Sequence, residues 1–296
     1  ELPRIARRQR QMCIRDREDT FGSELWAYNP TWDSIYLAWD INPAGSSSPD
    51  FLVTLNGKLY FAASQNQYGQ ELWSYDPVLD SAMLVADIWP GTSSSWPGFI
   101  AVLGDELYFQ AWDDSLGREL WRYSSTTGIA SMAVDIREGT ASSHPKELIA
   151  FDEKIFFSAA YTNDNDFELF SYDPLFDDWQ VYQINPSGTG SAPGNFVIHN
   201  NRLYFSAIDP ENGEELWGYD PQGDSIFLAT DVWPGANSSS PHSLVSMNGS
   251  LFFSANGETT GREIWQFDAN TATAQPAIDL ITGSESSDVA SLAVMG

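Results

Sequence analysis

The chain has 296 residues, 42% of them hydrophobic and 14% aromatic, with a formal charge of −27 and one cysteine, Cys13. That apolar content excludes a disordered chain, the lone cysteine excludes an internal disulfide, and no apolar run approaches the roughly 20 residues of a membrane helix. Residues 1–17 hold two acids and six arginines, so the remainder carries 39 acidic against 8 basic residues, a surface that repels nucleic acid and anionic membranes.

The first seventeen residues, ELPRIARRQRQMCIRDR, differ in character from the rest of the chain. The run Met12-Cys13-Ile14-Arg15-Asp16-Arg17 resembles an in-frame translation of a sequencing adapter. Residues 1–17 are therefore expected to be a non-native or disordered segment; a natural basic arm is the alternative. The segment lacks the apolar stretch of a signal peptide. Residues 18–296 then read as one domain, a fragment of a longer protein whose export signal is missing.

From residue 18 onward the chain is one unit repeated six times, and self-similarity at a fixed period decides a fold more strongly than local propensity. Glu-Leu-Trp or a variant begins at Glu24, Glu71, Glu119, Glu168, Glu215 and Glu263, at spacings of 47, 48, 49, 47 and 48. The third place reads Trp26, Trp73, Trp121, Phe170, Trp217 and Trp265. Asp-Ile or a variant recurs in the same register at Asp40, Asp87, Asp135, Gln183, Asp231 and Asp279.

Within one unit four strands are predicted. Phe99–Leu103 is a short apolar run, succeeded by the turn Gly104-Asp105 and the aromatic-rich strand Glu106–Ala111. After a polar loop ending at Gly117, Arg118–Tyr123 forms the third strand and Ser131–Ile136 the fourth. Equivalent first strands are Phe51–Leu55, Glu147–Phe151, Asn195–His199, Ser243–Met247 and Ser291–Met295. The turns Asn56-Gly57, Asn200-Asn201 and Asn248-Gly249 supply residues that tolerate positive φ in two-residue hairpins. No segment keeps a 3.6-residue apolar period, so helices should be scarce. Six four-stranded units of about 48 residues, apolar on both faces, predict an all-β, six-bladed β-propeller with first strands innermost. A linear β-solenoid is the runner-up.

The recurrent Gly-x-Glu-Leu-Trp-x-Tyr-Asp-Pro, as in Gly69 to Pro77, is similar to the ELWxxDGT repeat proteins of bacteria, and more loosely to kelch blades. The likeness covers residues 18–296. It departs from both: Asp-Pro stands where Asp-Gly-Thr is expected, and the kelch double glycine is absent after Tyr-Phe. The resemblance implies a propeller, secreted or surface-attached, and no particular chemistry.

Catalytic signals are weak. The three histidines, His144, His199 and His242, fall at different places in their repeats, and no GxSxG, HExxH, CxxC or phosphate loop is present. The six repeated glutamates read as structural acceptors of backbone hydrogen bonds; a carboxylate ring holding a cation is the alternative. Asp40, Asp87, Asp135, Asp231 and Asp279 are expected to accept from loop amides two or three residues on, with calcium ligation as the sharper alternative. No cofactor motif is present. Trp89, Trp96 and Trp233, among hydroxyls and carboxylates in the interblade loops, suit stacking against sugar rings, or else cover blade edges. The expectation is an extracellular or cell-surface binding or scaffold propeller, not an enzyme, with a carbohydrate or protein ligand at the loop face. A polysaccharide lyase or hydrolase, and a purely structural module of a larger surface protein, are the alternatives.

Overall fold

The computed structural model describes residues 12–18, 22–278, 283–287, 289 and 291–293. The described residues contain strands and turns and no helix. They build six antiparallel sheets, each a meander in chain order. The first has three strands, β1 (Met12–Glu18), β2 (Gly22–Asn29) and β3 (Ser34–Trp39). The second is β4 (Asp50–Leu55), β5 (Lys58–Gln65), β6 (Gly69–Asp76) and β7 (Ser81–Ala86). The third is β8 (Gly98–Leu103), β9 (Glu106–Asp113), β10 (Gly117–Ser124) and β11 (Ile129–Val134). The fourth is β12 (Lys146–Phe151), β13 (Lys154–Ala160), β14 (Phe167–Asp173) and β15 (Asp178–Tyr182). The fifth is β16 (Gly194–His199), β17 (Arg202–Asp209), β18 (Gly213–Asp220) and β19 (Ser225–Thr230). The sixth is β20 (His242–Met247), β21 (Ser250–Gly257), β22 (Gly261–Asp268) and β23 (Thr273–Ile278).

The first hairpin of each repeat turns as its residues require. Asn56 and Gly57 sit at φ 50° and 77°, Asn200 and Asn201 at 47° and 57°, Asn248 and Gly249 at 51° and 78°, the left-handed pair of a type I′ turn. The second strands are apolar on both faces because both faces are covered: Tyr108 and Phe109 are neighbours in sequence and both fully buried.

The chain divides into two compact units, Glu1–Leu148 and Ile149–Gly296. In the first unit, Leu25 and Ala27 of the first sheet pack with Phe61, Trp73 and Tyr75 of the second. Leu55, Tyr60 and Leu72 of the second then pack with Leu107, Phe109 and Trp121 of the third. Successive sheets thus stack face to face, and the first strands β4 and β8 lie side by side, with the Phe51 and Phe99 ring centroids 5.2 Å apart. In the second unit Phe156 and Leu169 pack with Phe205 and Tyr219. Tyr204 and Leu216 pack with Phe253 and Trp265, and β16 lies beside β20. Each such side chain contributes about 1.5–3 kcal/mol by leaving water.

Several predicted strands need correction. The fourth strand of the third sheet runs Ile129–Val134, two residues earlier than Ser131–Ile136, because a bulge shifts its register between Leu120 and Trp121 and the Ile136 amide leaves the ladder to donate to Glu119. The first strands begin a residue early and are not continuous ladders: Asp50 pairs with Ala62 but Val53 with Tyr60, with Phe51 between them at φ 53°. Of the predicted first strand Ser291–Met295, residues 291–293 form no strand, and Val294 and Met295 lie outside the described residues. Of the first seventeen residues, 1–11 lie outside the described residues, while β1 pairs along its length with β2. Its register sets Ile14 opposite Trp26, as Phe61 stands opposite Trp73, so β1 holds the place of a second strand.

Candidate binding site

All six repeated glutamates are buried, at 0–1% exposure. Glu71 shows the arrangement. Its Oε1 accepts from the Ser95 amide at 2.9 Å, and its Oε2 accepts from the Ile88 amide at 3.0 Å and the Ser95 hydroxyl at 2.5 Å. Glu24, Glu119 and Glu215 repeat the pattern with Ile41 and Ser47, Ile136 and Ser143, and Val232 and Ser239. Glu168 takes the amides of Ile184 and Asn185 and the hydroxyl of Ser191. Glu263 takes both donors of Ser287. The serine also reaches forward: the Ser95 carbonyl accepts from the Trp112 amide in the next sheet, at 2.7 Å. Each glutamate therefore fixes the loop that carries the chain from one sheet to the next.

Burial pushes the Glu71 and Glu119 carboxyls up to about 7 against the hydrogen bonds from Ser95 and Ser143 and the backbone, which pull them down. The serines recur at 47, 95, 143, 191, 239 and 287, a period of 48 held without exception. The glycine ahead of the Glu is required too: Gly69 has φ +69°, and a Cβ there would stand 1.9 Å from the Ser93 carbonyl oxygen.

The aspartates cap their loops four residues on, further than the predicted two or three. Asp87, Asp135 and Asp231 accept from the amides of Gly91, Gly139 and Gly235 at 3.2–3.3 Å through Oδ2. The loop glycine that donates has a positive φ in each case, 97° at Gly91, 84° at Gly139 and 85° at Gly235. The other oxygen, Oδ1, of Asp40, Asp87, Asp135 and Asp231 is buried without a partner, as is the indole Nε1 of Trp26, Trp73, Trp121 and Trp217 in the same four repeats. In the fourth repeat both groups are missing together, replaced by Phe170 and Gln183. Asp279 lies outside the described residues. Among the described residues no group of three or more His, Cys, Asp or Glu side chains comes together to hold a metal ion.

Trp89 and Trp96 lie in the loop between the second and third sheets, and Trp233 in its counterpart in the second unit. Trp96 is 50% exposed. Trp89 stacks on Trp112, with ring centroids 6.0 Å apart and planes 19° from parallel. Trp112 itself is 36% exposed, and the Arg118 guanidinium carbon lies 5.5 Å from its ring centroid. Trp233 is half-buried and makes no ring contact among the described residues. The register sets Trp112 opposite Arg118 at the end of the hairpin; the equivalent pairs are Ser64 with Gln70, Ala160 with Phe167, Ile208 with Glu214 and Asn256 with Arg262. A stack of two indoles and a guanidinium thus occurs at this repeat and departs from those equivalents. Sequence reasoning passed over Trp112 and Arg118, the first because β9 runs past its predicted end at Ala111, the second because it reads as an ordinary strand residue.

The histidines play other parts. His199 is buried where Leu55 and Phe151 stand in other repeats, with Nδ1 2.9 Å from the Ser246 hydroxyl and Nε2 3.0 Å from the Asn200 amide. Burial lowers its pKa. His242 contacts the Ser243 hydroxyl at 3.1 Å.

No family model matches the chain, and no curated protein matches it. Solved structures do. A puromycin-hydrolysing peptidase of Mycobacterium tuberculosis matches over 92% of this chain and 44% of its own, at 10% identity and a TM-score of 0.57. An oligogalacturonate lyase in complex with manganese matches over 92% of this chain and 74% of its own, at 12% identity and a TM-score of 0.56. A puromycin hydrolase matches over 90% of this chain and 44% of its own, at 14% identity and a TM-score of 0.53. The chain thus spans less than half the length of the peptidase and the hydrolase. At such identities the likeness concerns fold alone, and the matched structures are β-propellers. With its six antiparallel sheets of one repeated design, the chain has the six-bladed β-propeller fold.

Proposed function

We propose that this protein is an extracellular or cell-surface binding and scaffold propeller that takes a carbohydrate at the end of the second and third sheets carrying Trp89, Trp96 and Trp112, and does no chemistry on it. The observation that carries this reading is the Trp89–Trp112–Arg118 stack, which breaks the repeat at one place and leaves indole surface in water. A repeated feature serves the scaffold, whereas a feature confined to one repeat needs another reason. Indole faces and edges suit the apolar C–H face of a pyranose, and the serines and acids around them suit its hydroxyls. The repeated carboxylates, the obvious acids for catalysis, are taken up by backbone amides and serine hydroxyls. The acidic surface and the likeness of the Glu-Leu-Trp repeat to ELWxxDGT proteins favour a place outside the cell. An array of neutral and acidic oligosaccharides, probed with the labelled protein, tests the reading. Binding to a defined glycan class, with the glycan recovered uncleaved, is expected; an array with no signal, or with cleaved glycans, overturns it.

A further inference from the structure

We infer that the sugar bound at this platform carries a carboxylate, and that Arg118 is the residue that reads it. The inference rests on the proposed binding role and goes on to name the ligand class.

Outside the first seventeen residues the chain has only 8 basic residues against 39 acidic ones, so cations with carboxylates at hand are expected to pair. Arg202 does so with Asp220 at 2.7 Å, Lys58 with Asp76 at 3.6 Å, and Lys154 with Asp224 at 3.8 Å. Arg118 does not. Its main-chain amide donates to the Ser142 hydroxyl, but its guanidinium has no hydrogen-bonded or ion-paired partner among the described residues, and its Nε is buried without one. What holds the guanidinium is the Trp112 ring. Asp113, which the register sets opposite Gly117, accepts instead from the amide and hydroxyl of Ser115. A guanidinium stacked on indole keeps its charge and leaves its two Nη groups without a protein partner among the described residues, a pair of donors able to meet a planar carboxylate in two parallel hydrogen bonds. A second cation stands close by: Arg137 donates through Nη1 to the Ser142 carbonyl at 2.8 Å, on the loop whose serine hydroxyl receives the Arg118 amide.

The net charge of −27 argues the other way for any anion, and distance decides between the two effects. At 0.15 M salt the Debye length is about 8 Å, so repulsion from acids spread over the surface is largely screened, whereas a carboxylate in contact with Arg118 is not. A short uronate oligomer fits this balance better than a long polyanion, which would lay further charges across the acidic surface. The sugar rests against the exposed edge of Trp112, where its C6 carboxylate meets the guanidinium.

The test uses matched tetrasaccharides titrated by calorimetry at 0.15 M salt: β-1,4-mannuronate against β-1,4-mannose, and α-1,4-galacturonate against its methyl ester. The members of each pair share linkage and ring and differ in the charge at C6. The uronate of at least one pair should bind about tenfold tighter than its neutral partner, roughly 1.4 kcal/mol. Arg118→Gln should erase that preference, so that the uronate and its neutral partner bind alike, and Arg118→Lys should keep part of it, since the charge stays and the fork is lost. Circular dichroism confirms that both variants are folded. Neutral and charged members binding alike, or a preference that survives Arg118→Gln, overturns the inference and leaves the binding role standing. If no tetrasaccharide binds and the glycan array is also silent, the binding role fails and the inference with it.

Discussion

Replacing Glu71 by alanine removes one acceptor from three buried donors, the amides of Ile88 and Ser95 and the hydroxyl of Ser95. The hydroxyl can rotate to another acceptor, and the Ser95 amide keeps the Gln70 carbonyl at 3.1 Å, but the Ile88 amide cannot move without its loop. At about 1–3 kcal/mol for a donor left unpaired, the Ile88 amide alone would cost that much, with a smaller loss from the weakened Ser95 contacts. Loss of the carboxylate gives part of this back, because a group whose pKa burial has pushed up to about 7 is one that the fold holds at a desolvation cost. A net loss of about 1–3 kcal/mol is expected, a sizeable share of the 5–15 kcal/mol typical of a domain. Glu71→Gln should cost less, about 1 kcal/mol: its carbonyl can keep the Ile88 amide and the Ser95 hydroxyl, while its amide nitrogen faces the Ser95 N–H, which retains the Gln70 carbonyl. Urea unfolding monitored by tryptophan fluorescence at pH 6, with the midpoint and slope compared across wild type, Glu71→Gln and Glu71→Ala, gives the order directly. An alanine variant within 0.5 kcal/mol of wild type, or a glutamine variant worse than alanine, would refute the account of the glutamate as a loop anchor.

Other consequences can be measured on the same protein. The Glu71 and Glu119 carboxyls are raised in the fold above their ordinary value of 4.5, to about 7, so the native state binds more protons; their contribution is full below pH 4.5 and is lost as pH rises through 7. Melting temperature should therefore fall from pH 5 to pH 8, and the Glu71→Gln, Glu119→Gln double variant should show a shallower fall; an unchanged slope would contradict the burial argument. Millimolar calcium or chelator should leave the melting temperature nearly unmoved, and a calcium-dependent rise of many degrees would assign the aspartates a second role. Trp73→Phe and Asp87→Gln should be non-additive by about 1 kcal/mol in a double-mutant cycle, since the fourth repeat lacks both groups together; strict additivity would break the link. Cys13→Tyr with Ile14→Phe should raise the melting temperature, because the register gives these positions the place that Tyr60 and Phe61 fill in the second sheet, and a lower value would count against that equivalence.

How much of this was legible in the sequence depended on what recurs. Glu, Trp and Asp at fixed intervals, with Asn-Gly turns between apolar runs, were enough for the fold class, because a repeat reports its own register six times. The serine partner of each glutamate was equally regular but stood among other serines in the same loops, so its period of 48 was hidden by composition. Bulges escaped because they depend on a carboxylate drawing an amide such as that of Ile136 out of its ladder, a contact between residues 17 apart. The platform was half legible. Trp89 was visible as an aromatic in a polar loop, whereas Trp112 and Arg118 belong to a hairpin end and gain meaning only where the fold brings Trp89 over them.

The binding role is tested most directly by electrophoresis of the native protein in gels cast with alginate, xylan or galactomannan, with Trp112→Ala run alongside after its melting temperature has been matched to wild type. Wild type should be retarded in at least one polysaccharide and Trp112→Ala should migrate as in the blank gel. Equal retardation of both, or free migration of wild type in all three, would contradict a carbohydrate site at this platform.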